Sequence, residues 1–125
     1  MARRVLVADD DRDIRTLIAF DLQEAGFEVV EVVDGADAVA AMETGGPFDA
    51  LVVDMMMPRL TGLDVCRRVR SHADGADLPI VMVTARAGDE DREAAREAGV
   101  TEYVTKPFSP GVLGEVLARL VGPAH

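Results

Sequence analysis

Apolar and polar positions fall into two alternating kinds of block along the chain. Five short runs rich in β-branched and aliphatic residues, at 4–8, 27–32, 50–53, 80–83 and 101–104, read as strands. Most are continuously apolar, as a parallel strand covered on both faces requires; a half-exposed antiparallel strand would alternate. Between them the spacing turns helical. Ile14, Leu17, Ile18, Leu22 and Ala25 share one face of a first helix, which Gly26 ends. Val112, Leu113, Val116, Leu117, Leu120 and Val121 repeat the pattern in the last helix, with Ser109 as the expected cap and Pro110 as the first helical residue. Intermediate helices are predicted over 36–43, closed by Gly45 and Gly46, over 63–70, and over 89–98, closed by Gly99.

Strand followed by helix, five times over with short connections, implies right-handed crossovers and a parallel sheet carrying helices on both faces. The fold class is therefore α/β, a doubly wound parallel sheet. Ligands of such sheets bind beyond the carboxyl ends of the strands, where the strand order reverses. At 125 residues the chain suits one domain with a sizeable core, since folding at this length buries roughly two thirds of the unfolded surface.

Charge narrows the partners. Thirteen basic against 23 acidic residues leave a net charge of −10, a field that repels phosphate backbones and anionic lipid, so direct nucleic-acid binding and membrane association are not expected. The start, MARRVLVADD, lacks the apolar core and cleavage site of a secretion signal, and no apolar run approaches the roughly 20 residues of a membrane span. The single cysteine, Cys66, fits a reducing compartment. The expectation is a soluble, cytoplasmic protein.

The chemistry sits at the strand ends. The first strand runs into Asp9, Asp10 and Asp11, the third into Asp54, the fourth into Thr84 and Ala85, and the fifth into Thr105, Lys106 and Pro107. Asp9, Asp10 and Asp54 placed together repel one another unless a cation is bound or one acid is protonated. Oxygen ligands without His or Cys point to a hard cation, and this set suits Mg²⁺, with Asp10 and Asp54 as direct ligands. Lys106 is the only lysine of the chain, a mobile point charge able to pair with a phosphoryl oxygen, and Thr84 adds a hydroxyl donor. Around Asp54 these groups make a phosphoryl-transfer site in which Asp54 is the nucleophile.

Blander roles fit some neighbours better. Asp11 reads as an acid complementing the dipole of the first helix. Met55 and Met57 read as core filler, whereas the Met56 backbone carbonyl lies in a loop and is open to a metal. Cys66 has no base beside it in sequence and reads as packing; His72 and His125 receive no role.

In this order and spacing, VLVADD, DALVVDMMMPRLTG, PIVMVTA and GVTEYVTKPFS resemble the receiver domain of bacterial two-component response regulators, of which the chemotaxis regulator is the single-domain type. The resemblance covers essentially the whole chain, with residues 1–121 as the domain and 122–125 as a tail or the start of a linker. It implies a flavodoxin-like five-stranded sheet in the order 2-1-3-4-5 with five helices. It also implies a phosphoacceptor signalling domain that takes a phosphoryl group from a sensor histidine kinase or phosphotransfer protein onto Asp54. Mg²⁺ would be held by Asp10, Asp54 and the Met56 carbonyl, with Asp9 supporting it through water. Thr84, Lys106 and the Ala85 amide would bind the phosphoryl group, and Tyr103 would swing inward as Thr84 moves. A cis peptide before Pro107 would aim Lys106. The fourth helix, fifth strand and fifth helix would form the face read by a downstream effector, and a phosphorylation-dependent homodimer is within the family's range. Thr101 and Glu102 stand where receivers often carry an acid pair, and Met56 and Arg86 stand where the family tunes the lifetime of its phosphorylated state.

Three other functions fit less well. A phosphatase of the haloacid dehalogenase type wants a second acid two residues after the nucleophile, where this chain has Met56. A nucleotide-binding module wants a glycine-rich phosphate loop, which is absent from the sequence. A receiver-like interaction module acting without phosphorylation would not need Asp9, Asp10, Asp54, Thr84 and Lys106 together.

Overall fold

A computed structural model describes residues 2–122. Its elements run β1 (Arg4–Ala8), α1 (Arg12–Glu24), β2 (Glu28–Val32), α2 (Gly35–Thr44), β3 (Ala50–Val53), α3 (Gly62–Ser71), a 3₁₀ turn (Ala73–Gly75), β4 (Ile80–Thr84), α4 (Asp89–Ala98), β5 (Glu102–Thr105) and α5 (Val112–Val121). The five strands are parallel in the order β2-β1-β3-β4-β5, with Ala8 in register with Val53 and Thr84 with Thr105. The expected elements are all present, with ends shifted by a residue in several of them. Residues 123–125, and with them His125 and most of the expected tail, lie outside the described residues.

The two-residue period of the strands splits the core into two layers. Leu6, Leu51, Val53, Ile80 and Met82 pack towards Val65, Cys66 and Val69 of α3 and Ala95 and Ala98 of α4. Val5, Val7, Val52, Val81 and Val83 face the other way, onto Ile18 and Leu22 of α1 and Leu113 and Leu117 of α5. Covering on both faces holds for β1, β3 and β4. The edge strands are only half-buried, and Glu28 and Glu31 of β2 reach solvent to pair with Arg4 and Arg15.

Helix starts follow local chemistry. Asp11 caps α1 by accepting the Asp13 and Ile14 amides at 2.9 and 3.2 Å, Asp34 caps α2, and Thr61 with Asp64 closes a capping box on α3. The start expected for the last helix is wrong. Ser109 is not its cap and Pro110 is not its first residue; the two open a turn in which the Val112 amide donates to the Ser109 carbonyl. Gly111, left-handed at φ 89°, precedes the first helical residue, and its missing cap comes from α1: Asp21, nearly buried, accepts the Leu113 amide at 3.2 Å.

Candidate functional site

Strand order reverses between β1 and β3, and the acids stand there. Asp9 and Asp10 follow β1 and Asp54 follows β3, its amide donating to the Ala8 carbonyl at 3.1 Å. Carboxylate oxygens of Asp9, Asp10 and Asp54 lie within 4.8 Å of one another. Asp9 is fully buried, Asp54 is 9% exposed, and Asp10 is open to solvent.

Lys106 enters from the far side of the sheet. Its amide donates to the Thr84 carbonyl at 2.8 Å, which fixes the β5 end against β4, and the peptide to Pro107 is cis. Its Nζ lies 3.0 Å from Oδ2 of Asp9 and 3.0 Å from Oδ2 of Asp54. One ammonium thus sits between two acids.

Burial pushes the Asp9 carboxyl above the usual carboxylate range, against the opposing hydrogen bonds from the Asp11 amide and from Lys106. Burial alone would lower Lys106, but its hydrogen bonds to Asp54 and Asp9 outweigh that and hold it above its ordinary value. Three carboxyl groups share one ammonium, so acids outnumber bases in the pocket by two. Three oxygen donors on one side, an unneutralised negative charge and an open edge at Asp10 fit a small hard cation.

The remaining expected residues stand around this centre. Thr84 is buried, and its Oγ1 accepts the Arg86 amide at 3.2 Å; Ala85 follows it, exposed. Met56 is 52% exposed and its amide donates to Oδ1 of Asp54 at 3.3 Å, whereas Met55 and Met57 are buried in the core. Tyr103 lies on β5, its hydroxyl donating to the Arg86 carbonyl at 2.6 Å and its ring under Arg92, with the guanidinium 4.8 Å from the ring centre. Cys66 is fully buried, and burial pushes its thiol up to about 12, consistent with packing and not with nucleophilic chemistry.

Arg15 had no signal in the sequence. Its Nη1 donates to the Asp9 carbonyl at 2.9 Å while its Nε pairs with Glu31 at 3.3 Å, so it ties the acidic turn to the edge strand β2. Only the strand order brings Glu31 within its reach.

Among the described residues no helix is long and apolar enough to cross a membrane. Residues 5–118 match the response regulator receiver domain family. The chain is 45% identical over 120 residues to the response regulator MprA of Mycobacterium bovis and 44% identical to that of Mycobacterium tuberculosis, in each case over 96% of this chain. It spans about half the length of these curated relatives. The chemotaxis response regulator CheY4 of Vibrio cholerae superposes with a TM-score of 0.89 at 32% identity, covering 96% of this chain and 99% of the other. The receiver domain of the sensor histidine kinase PA1611 from Pseudomonas aeruginosa, solved with a magnesium ion in its active-site cleft, gives 0.90 at 33% identity over 98% and 99%. Matched in sequence from β1 into α5 and in fold almost throughout, this chain belongs to the response regulator receiver domain family.

Proposed function

We propose that Asp54 is the phosphoacceptor of this receiver domain, taken as residues 1–121, and that a histidine kinase or phosphotransfer protein supplies the phosphoryl group. The observation that carries the reading is the convergence of Lys106 Nζ on Asp9 and Asp54 at 3.0 Å each, with Asp10 at the open edge. A carboxylate oxygen of Asp54 attacks phosphorus, the P–N bond of the phosphohistidine breaks as the new P–O bond forms, and the leaving imidazole keeps the electron pair and takes up a proton. Asp10, Asp54 and the Met56 carbonyl would hold Mg²⁺, with Asp9 acting through water. When bound, that ion neutralises the crowded acids and draws negative charge from the phosphoryl oxygens.

After transfer, Lys106 pairs with a phosphoryl oxygen, and the Thr84 hydroxyl and Ala85 amide donate to the others. Phosphorylation replaces the single charge of the Asp54 carboxylate with a phosphoryl group carrying about two, and donors that turn towards it shift the loops after β4 and β5. Thr84 is coupled through Arg86 to Tyr103, so the face formed by α4, β5 and α5 is the one an effector reads. α4 is easily moved, since only Ala95 and Ala98 of it are buried. The phosphodonor docks beside Lys106, over an apolar groove of about 590 Å³ lined by Ile14, Leu17, Phe20, Phe108 and Pro110. Leu17 and Phe20 are 57% and 60% exposed there, which a partner would cover. The chain acts in the cytoplasm and catalyses only its own phosphorylation and dephosphorylation.

Acetyl phosphate with Mg²⁺ is expected to add one phosphate to the wild-type chain and none to Asp54→Asn, read by intact mass. Equal labelling of both would overturn the assignment. No labelling of either by acetyl phosphate or by any kinase would favour an interaction module that works unphosphorylated.

A further inference from the structure

Among the described residues other than glycine, only Arg59 has a positive φ, 72°. A long side chain rests in that left-handed region because its surroundings hold it there. Arg59 lies in the loop between β3 and α3, and its Nη1 is 3.1 Å from Oδ2 of Asp34. Asp34 has a 9% exposed side chain, and its Oδ1 accepts the Asp37 amide at 2.8 Å as the cap of α2. Both carboxylate oxygens are thus engaged, and Asp34 is a fixed anchor.

Beside this pair, backbone touches backbone. A Cβ at Gly35 would lie 2.1 Å from the Leu60 carbonyl oxygen, and a Cβ at Gly62 would lie 2.1 Å from that of Asp54. The loop is therefore clamped to the first turn of α2 at one side and to the Asp54 backbone at its root. Met56 lies between the two clamps.

We propose that Arg59 and Asp34 are positioning residues for the cation site: their ion pair holds the loop so that the Met56 carbonyl stays in place as a ligand. This rests on the Mg²⁺ site proposed above. The sign of the effect separates positioning from simple charge. Arg59 is cationic, so its removal raises the negative potential of the pocket and by charge alone would tighten Mg²⁺. Loss of positioning weakens it.

Isothermal titration of MgCl₂ into the whole chain, without phosphodonor, makes the test. Arg59→Gln is expected to weaken Mg²⁺ by about two- to fivefold, the scale of an exposed ion pair. Arg59→Gly, which suits φ 72° and relaxes the loop, is expected to weaken it as well, and Arg59→Lys to restore much of the affinity. Asp34→Asn combined with Arg59→Gln is expected to fall short of the sum of the single effects, because the pair is lost only once. Unchanged or tighter Mg²⁺ binding by folded Arg59→Gln and Arg59→Gly overturns the inference while leaving the metal site standing. A wild-type chain that binds no Mg²⁺ overturns both.

Discussion

Lys106 and Asp54 stand 52 residues apart in the chain and meet at 3.0 Å, Nζ to Oδ2. The same ammonium reaches Asp9 at an equal distance, so a single cation screens two buried acids from each other. Lys106→Ala leaves Asp9 buried with no counter-charge. In EDTA this variant is expected to lose about 1–3 kcal/mol of stability, the cost of an orphaned, partly buried charged group. The uncompensated acids then gain more from Mg²⁺ than in the wild type. Thermal unfolding with and without Mg²⁺ checks both statements, and an unchanged melting temperature in EDTA would show that the ammonium does not stabilise the acids.

Asp10 makes the opposite case. It is exposed, and its carboxylate adds to the crowding with Asp9 and Asp54. Asp10→Asn is expected to melt higher than the wild type in EDTA because repulsion is relieved, and to lose most of its response to Mg²⁺. For the wild type, Mg²⁺ at ten times its dissociation constant should contribute about 1.4 kcal/mol, or about 5 °C in a domain of this size. A variant that keeps the full Mg²⁺ increment would remove Asp10 from the site.

Much of this was legible in the sequence because the strands and the acids that cluster at their ends are adjacent in the chain. The run from Val5 through Asp10 is a buried strand delivering carboxylates at its carboxyl end, and the stretch from Leu51 to Asp54 is another. What was not legible depends on pairs that only tertiary structure brings together. Asp21 caps α5 across 92 residues, which is why Ser109 and Pro110 looked like the helix start. Arg15 and Arg59 carry no local signal, since their acids, Glu31 and Asp34, lie on neighbouring segments. The half-buried state of β2 and β5 likewise follows from their place at the sheet edges, which the apolar pattern of β5 does not disclose.

Arg70 is a further pair of this kind with a mechanical consequence. Its Nε and Nη2 donate to the Gly99 carbonyl at 3.0 and 2.7 Å, and its Nη1 donates to the Gly75 carbonyl at 2.7 Å. It ties α3 to the 3₁₀ turn and to the carboxyl end of α4, the end where Ala95 and Ala98 are buried. Arg70→Ala is expected to cost about 1–3 kcal/mol by leaving the Gly99 carbonyl without its donor and the Gly75 carbonyl with only the Leu78 amide at 3.4 Å. Hydrogen exchange should quicken at the Gly99 and Val100 amides, which close the end of α4. Arg70→Lys should recover only part of this, since a point charge does not serve two carbonyls as a planar fork does. Unaltered exchange at these amides in Arg70→Ala would show that α4 is held without it.

Tyr103 reports on the other end of α4 and is the only tyrosine in a chain without tryptophan. Burial raises its hydroxyl above the ordinary tyrosine value, and the negative charge of Asp91 adds to this against Arg92 and Arg86. The neutral phenol is the form the fold prefers. Its contribution to stability is therefore complete below about pH 10, where the unfolded tyrosine titrates, and is lost as pH rises through the higher folded value. Phenolate absorbance should give a midpoint in buffer above that in urea, and Asp91→Asn should lower the folded midpoint. The hydroxyl donates to the carbonyl of Arg86, whose own amide donates to Thr84. A Thr84 hydroxyl drawn towards a phosphoryl group disturbs that chain, so acetyl phosphate with Mg²⁺ at neutral pH should change the Tyr103 fluorescence of the wild type and leave that of Asp54→Asn unmoved. An identical emission before and after phosphorylation would uncouple Tyr103 from Thr84.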